Sequence, residues 1–436
     1  MQVTIETTTD LERRMTVQLP ASAINDKFDA RVKETAKRVR IDGFRPGKVP
    51  ASVVRQRFGP SIRAEVMEDV VKDAYMDALN KENIKPASFP RFEDIKDEGE
   101  QIEFAALFEV FPDIELGDFT AIKVDQLNAQ VSDENVEKMI ESLRQQRATY
   151  SDVARAAQND DQVVIDYKGL LKGEAFDGGT AEDQELLLGS GRMIPGFEEG
   201  IVGMEAEQSK TIDVTFPEDY QNKELAGQAV QFEITVKAVR AAELPELNES
   251  FVKELGARAQ DVESFKAEVR SNMEREAKQA AAEKTKTAVI DQLIAGSEFS
   301  VPAALLDDEV YRLQQEAVQQ FGGASSGFDP AQLPKELFSE RAERRVRTGL
   351  IFSQITSQHS LKVTDEAVEA RLKEIASVYQ DPESVIQFYQ NNPEQLSQVR
   401  TLVLEESVVE HVLLQAQVSA HDADYYEVMK PSGEAA

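Results

Sequence analysis

The sequence predicts an α+β multidomain chain: an α+β N-terminal domain, a compact strand-rich middle domain and an all-helical C-terminal body. Three observations predict it. The length of 436 residues corresponds to about three domains at roughly 100–200 residues each. Glycines crowd the stretch 169–203, between segments of alternating apolar residues. From about residue 244 the glycines thin out and helix formers dominate. Boundaries follow at 1–112, 113–150, 151–243 and 244–436.

In 1–112, Val3 and Ile5 alternate with polar residues, as do Met15, Val17 and Leu19. That period of two is a strand pattern, and Pro20 ends it. Ile24, Phe28, Val32, Ala36 and Val39 then recur at helical spacing, with Lys27, Arg31, Lys33, Lys37 and Arg38 between them. The pattern predicts an amphipathic helix with a cationic outer face, closing at Asp42-Gly43, where glycine can turn left-handed. G-F-R-P-G-K-V-P follows at 43–50. Two glycines and two prolines in eight residues exclude a helix or strand interior. Pro50 suits the first turn of a second helix, carrying Ile62, Val66, Val70, Ala74 and Ala78. Ile102, Phe104, Ala106, Phe108 and Val110 alternate as a strand before Pro112 and Gly117 mark a boundary.

Residues 113–150 read as a connector. Ser132 is placed to cap a helix whose first turn holds Asp133 and Glu134 and whose apolar stripe is Val136, Ile140 and Leu143. The middle segment offers strands at Val163–Ile165–Tyr167, Ile212–Val214–Phe216 and Val230–Phe232–Ile234–Val236. Helical spacing then runs through 261–295, 302–321, 335–358, 364–379 and 393–418, interrupted by a glycine- and serine-rich loop at 322–327. Heptads are not sustained, so the pattern describes a helical body rather than a coiled coil. Pro431 to Ala436 reads as a frayed tail.

Composition excludes whole classes of chemistry. The absence of cysteine rules out disulfides, thiolate metal sites and thiol nucleophiles. The three histidines, His359, His411 and His421, form no His/Asp cluster in sequence, so neither a metal nor a cofactor is expected. No apolar run approaches the length of a membrane span. The N-terminus lacks the basic start and apolar core of a signal peptide. Cytoplasmic location without membrane contact is the expectation. Lys plus Arg number 49 against 80 Asp plus Glu, a net charge of −31. Residues 1–60 hold 12 basic against 7 acidic residues, +5, leaving −36 for the rest. A basic head on an acidic body is either a solvated helix face or a polyanion contact confined to one end. The acidic remainder speaks against DNA binding.

The middle segment carries Tyr167-Lys168-Gly169, Phe176-Asp177-Gly178-Gly179, G-S-G-R-M-I-P-G-F-E-E-G-I-V-G-M at 189–204, and Phe216-Pro217-Glu218-Asp219-Tyr220. These ordered elements closely resemble the FKBP family of peptidyl-prolyl isomerases over about 160–240. By spacing alone the aromatics are either core or pocket. The resemblance implies a half-barrel sheet wrapped on a short helix, with Tyr167, Phe176, Ile194, Phe197, Tyr220 and Phe232 lining an apolar pocket. It implies further that a backbone N–H near Ile194 holds a substrate carbonyl and that Asp177 sits at the rim. Phe197 stands where many members have tryptophan, a residue this chain lacks. The chemistry suits such a pocket, because rotating an X-Pro bond makes no covalent bond and needs no nucleophile or metal. Its barrier of about 18–20 kcal/mol is amide resonance, which a dry pocket opposes by favouring the less dipolar twisted form.

The G-F-R-P-G-K loop, set after a basic helix and ahead of an FKBP-like segment, resembles the ribosome-docking loop of the trigger factor family, whose domain order agrees over essentially the whole chain. The resemblance implies that Phe44, Arg45 and Lys48 contact a large-subunit ribosomal protein and RNA beside the exit tunnel. It also implies that the helical body, joined in space by 113–150, forms a cradle for nascent and unfolded polypeptides. It leaves room for a weak homodimer off the ribosome. The rival readings are a free-standing isomerase and holdase without ribosome docking, a binding module with an inactive pocket, and a nucleic-acid-binding protein.

Overall fold

A computed structural model describes residues 1–42, 44, 48–97, 101–257, 259–320, 329–379 and 381–431. Gly43 and Arg45 of the predicted docking loop, the 322–327 loop and the tail from 432 onward lie outside the described residues. The chain divides into two units, one of Met1–Asp125 with Thr285–Ser419, the other of Gln126–Lys284 with Ala420–Ala436.

The first unit begins with β1 (Gln2–Thr7), β2 (Glu12–Pro20), α1 (Ser22–Arg38), α2 (Ala51–Glu82), β3 (Arg91–Asp97) and β4 (Gln101–Glu109). The strands form an antiparallel sheet in the order β1-β2-β4-β3. Met15, Val17 and Leu19 of β2 and Ile102, Phe104, Ala106 and Phe108 of β4 are all buried, as their period of two requires. α1 and α2 add Ile24, Val32 and Ala36, and Ile62, Val66, Val70 and Ala78, to the same core. α1 ends earlier than its glycine suggested. Val39 is already extended at φ −73° and ψ 144°, and the chain leaves the helix to bury Ile41 and later Val49.

The cationic face of α1 is largely matched by acids. Lys27 reaches Asp73 at 2.5 Å, and Arg31 reaches Glu65 at 2.5 Å with Glu34 and Asp69 nearby. Arg55 pairs with Asp29 and Arg38 with Glu34. Such exposed pairs add little stability, but they dispose of part of the +5 read from composition.

The second unit opens within β5 (Lys123–Gln130) and continues through α3 (Asp133–Gln145). Ser132 Oγ accepts from Asn135 N–H, while Asn135 Oδ1 accepts from Ser132 N–H, closing a capping box. The middle segment supplies β6 (Thr149–Asp152), β7 (Gln162–Leu171), β8 (Glu174–Leu187), α4 (Phe197–Ile201), β9 (Ser209–Thr215) and β10 (Ala229–Glu243). β10 is the organising strand. It pairs with β7 along one edge and with β9 and then β6 along the other, and β8 extends the sheet beyond β7. α5 (Glu249–Glu254) and the first part of α6 (Val262–Ala295) pack Val252, Phe265, Val269 and Met273 against Val136 and Ile140.

The first unit resumes with the end of α6, then α7 (Ala303–Gln320), α8 (Glu336–His359), α9 (Asp365–Ala376), α10 (Pro382–Asn391) and α11 (Pro393–Leu413). Val289, Leu293, Ile351, Phe352, Ile355, Val408 and Val412 form its main helical core with Phe119 and Ile122. Helical spacing predicted the last helix to 418. It stops at Leu413, and β11 (Gln417–Asp424) pairs with β5 before α12 (Tyr425–Met429) closes the described chain. Among the described residues no helix is long and apolar enough to cross a membrane.

Candidate active site

The register of the middle sheet builds the site. Phe232 lies opposite Gly169, and Ile234 opposite Tyr167, on the β10–β7 ladder. Phe232 and Tyr167 are therefore diagonal neighbours, with ring centroids 5.9 Å apart. α4 pushes Phe197 under both, 5.1 Å from Phe232 and 5.6 Å from Tyr167, each nearly edge-to-face. Phe176 from β8 joins Phe232 at 6.0 Å and Phe216 at 6.1 Å. Phe216 in turn holds Tyr220 at 4.6 Å. Edge-to-face pairs contribute about 0.5–1.5 kcal/mol each beyond area burial, so the six rings stiffen one another.

Their exposure grades from floor to rim. Phe197 is fully buried, Phe216 and Phe232 nearly so, Tyr167 and Phe176 are half-buried, and Tyr220 is 39% exposed. All seven residues expected at the site lie in one domain, and five of their side chains share this ring network. Ile194, the sixth, is partly buried and packs on the same core. The side chain of Asp177 lies outside the described residues. Sequence reading left Phe216 out of the ring set, although it stands in the F-P-E-D-Y run and alternates with Ile212 and Val214.

Two glycines make room for Phe176. A Cβ at Gly169 would fall 2.5 Å from the Phe176 ring and 2.8 Å from Phe232; one at Gly179 would fall 2.6 Å from Phe176. Gly169→Ala should therefore displace the ring, destabilise folding by about 1–3 kcal/mol as overpacking does, and depress turnover of an X-Pro peptide. Urea unfolding and a peptide isomerisation assay on the same protein check both effects.

The turn before α4 presents a backbone donor. Phe197 N–H donates to Ile194 C=O at 3.1 Å, whereas Ile194 N–H has no acceptor among the described residues. The Glu198 carboxylate is buried behind this turn and accepts from the N–H groups of Gly189 (2.8 Å), Gly191 (3.1 Å) and Met193 (3.2 Å) and from Ser190 Oγ (3.3 Å). Burial raises its pKa, but the donors of Met193, Gly191, Gly189 and Ser190 together outweigh burial and hold the carboxyl below its ordinary range. In the 155–161 loop, Asp161 is forked by Arg155 at 2.6 and 2.8 Å and accepts from Gln158 N–H. Burial raises Asp161 while Arg155 and Gln158 lower it further, for a net depression. Asp160 and Asp161 exchange backbone hydrogen bonds with Leu188, which ties the two loops together.

Elsewhere the sequence pointed to the 43–48 loop. Phe44 is 40% exposed and Lys48 is exposed, between the buried anchors Ile41 and Val49. Arg45 lies outside the described residues. Lys33, Lys37, Arg40, Lys48 and Arg57 are exposed and make no ion pair among the described residues. The unmatched positive charge therefore brackets the loop in sequence. In the helical body Tyr311, Leu337, Tyr379, Phe388 and Leu414 are exposed apolar side chains, scattered over several elements.

Comparison with known proteins completes the description. Residues 1–143 match the family model for bacterial trigger factor protein, residues 261–414 that for the bacterial trigger factor C-terminus, and residues 153–237 that for FKBP-type peptidyl-prolyl cis-trans isomerase. The chain is 46% identical over 432 residues to the trigger factor of Hahella chejuensis, covering 99% of this chain and 96% of that one. It is 48% identical over 436 residues to the trigger factor of Alcanivorax borkumensis, covering the full length of both. Its fold is similar to a solved trigger factor chaperone structure, with a TM-score of 0.51, 18% identity, and coverage of 95% of this chain and 99% of that one.

Proposed function

The chain belongs to the trigger factor family, and on that premise we propose which of its residues dock, isomerise and hold clients. It is a ribosome-associated chaperone with an FKBP-type peptidyl-prolyl isomerase domain, and it binds the ribosome and unfolded polypeptides. A free-standing isomerase is not favoured, because the match to trigger factor begins at residue 1 and includes the N-terminal domain.

The isomerase site is the box of Tyr167, Phe176, Phe197, Phe216, Tyr220 and Phe232. The observation that carries this reading is the convergence of six rings in the domain where Ile194 N–H has no partner among the described residues. The prolyl ring enters the box, the rings exclude water, and the twisted amide gains relative to the planar one because it has less dipole to solvate. Ile194 N–H holds a neighbouring carbonyl so that the substrate rotates in one orientation, and Asp177 lies at the rim. About 4 kcal/mol of such differential stabilisation gives a thousandfold acceleration.

The loop of Phe44, Arg45 and Lys48 docks on a large-subunit protein and RNA at the tunnel exit. The loop offers an exposed ring between unmatched cations, which suits an apolar anchor set among phosphate contacts. The chain acts in the cytoplasm. The helical body, with 113–150, holds clients on its dispersed exposed apolar side chains.

The 151–243 segment is an insertion in this reading. Thr149 pairs with Glu243 and Asp152 with Arg240 on the β6–β10 ladder, so the segment enters and leaves at one place. Excising 151–243 and closing the gap with a short flexible linker should abolish X-Pro isomerisation while retaining most suppression of client aggregation. A folded deletion protein, verified by circular dichroism, that no longer suppresses aggregation would refute this division of labour.

A further inference from the structure

We infer that Glu198 is a positioning residue for prolyl isomerisation: its buried carboxylate gathers the N–H groups of Gly189, Gly191 and Met193 and so holds the turn that aims Ile194 N–H at the substrate carbonyl. The inference rests on the pocket reading above and assigns its polar half to a residue that never touches substrate.

The geometry carries the argument. Residues 189–196 hold four glycines or serines and one proline, a composition that does not specify a single backbone path. Something outside the backbone must select one. Glu198 does so with both oxygens. One accepts from Gly189 and Gly191, the other from Met193 and the Ser190 hydroxyl. Ser190 N–H is satisfied by Leu187 C=O, and Gly196 N–H by Glu199 Oε2. Pro195 has no N–H to offer. Two donors of the turn are left without an acceptor among the described residues, Arg192 N–H and Ile194 N–H; Arg192 is exposed, whereas Ile194 packs on the ring core. Charge-assisted bonds to backbone donors are roughly twice as strong as neutral ones, so a buried carboxylate fixes this turn where a neutral side chain would not. Its neighbour in sequence is Phe197, the floor of the box, so one short helix sets the apolar and polar halves of the site together. A donor held in place before substrate arrives costs no reorganisation during rotation.

Glu198→Gln tests this. It keeps the shape but replaces one acceptor oxygen by an amide that faces N–H donors. The full-length chain, Glu198→Gln, Glu198→Asp and Phe197→Leu are assayed for kcat/KM on one X-Pro peptide. The same peptide is then used with the carbonyls flanking the proline replaced singly by thiocarbonyls, which are poorer acceptors. Glu198→Gln should lose at least tenfold on the normal peptide. The thiocarbonyl that most impairs the wild type should impair Glu198→Gln at least threefold less, because the hydrogen bond it weakens is already lost to a misaligned donor. Glu198→Asp, which keeps the charge, should recover part of the loss. Wild-type turnover by folded Glu198→Gln overturns the inference. So does a loss in which the thiocarbonyl penalty is unchanged, which would make Glu198 merely structural. Should the Gln variant melt below assay temperature, the penalty in Glu198→Asp decides by the same rule. Phe197→Leu separates the two readings: if it is impaired while the Glu198 variants are normal, only the positioning role fails. If Phe197→Leu turns over normally, the pocket itself is misplaced.

Discussion

Replacing Phe44, Arg45 and Lys48 together by alanine should weaken ribosome binding at least a hundredfold while leaving folding and prolyl turnover intact. Phe44 and Lys48 are exposed, and their removal takes nothing from the core, which is anchored by Ile41 and Val49 on either side. Each desolvated charge-assisted contact contributes about 1.5–3 kcal/mol, and the apolar anchor adds its own burial. Part of the attraction is to phosphates, so wild-type binding should also fall steeply as salt rises. The triple variant should show a shallower salt slope, since two cations are gone. The acids that pair with Lys27, Arg31 and Arg55 make those cations poor candidates for the same role. Lys37 and Arg40 are unmatched among the described residues and should contribute when mutated, though less than the loop. Ribosome co-sedimentation across a salt series measures all of this. Undiminished sedimentation of the triple variant would show that docking lies elsewhere.

The parts legible in sequence are those where burial imposes a period. Met15, Val17 and Leu19, or Ile102, Phe104 and Phe108, could be assigned to one face because a strand with one buried face must alternate, and all six are buried. The ring box was legible because its members sit in ordered motifs that resemble a known family. What escaped notice lacks a period or depends on distant partners. α10 fully buries no residue; its stripe is the short, half-buried set Val385, Ile386 and Tyr389, although Asp381-Pro382 is a helix start in cap and first-turn chemistry. β11 buries only Ala423, so it shows no alternation, and its first two residues read as an extension of the preceding helix. The pairing of Lys27 with Asp73 joins residues on two helices, and a charge count cannot reveal it. Glu198 is one of two adjacent acids in the 189–204 motif, and nothing in the pair itself distinguishes the buried one. Its burial is set by donors in the preceding turn, and the signal that could have found it is the run of small residues at 189–191 ahead of a helix-opening acid.

Phe197→Leu should lower kcat/KM on an X-Pro peptide at least tenfold, about 1.4 kcal/mol of transition-state stabilisation, with ribosome binding unchanged. Phe197 is fully buried, so truncation to alanine would cost roughly 3–5 kcal/mol of stability and confuse a lost site with a lost fold. Leucine keeps most of the volume and all of the apolarity. What it removes is the flat ring that meets Phe232 at 5.1 Å and Tyr167 at 5.6 Å. Those two contacts are worth about 0.5–1.5 kcal/mol each, a loss a folded domain of this size can absorb. Their removal frees Tyr167 and Phe232 to shift, lets water reach the amide, and weakens the preference for its twisted form. The loss should therefore appear in kcat more than in KM, since the ground-state proline still finds an apolar site. Phe216→Leu offers a graded comparison. That ring touches Phe176 and Tyr220 at the outer end of the network rather than Phe197, so its effect should be smaller. Equal losses in the two variants would mean that the box acts as a single packed unit without a distinct floor. Full activity in a folded Phe197→Leu protein would make the ring ordinary core and move the site away from α4.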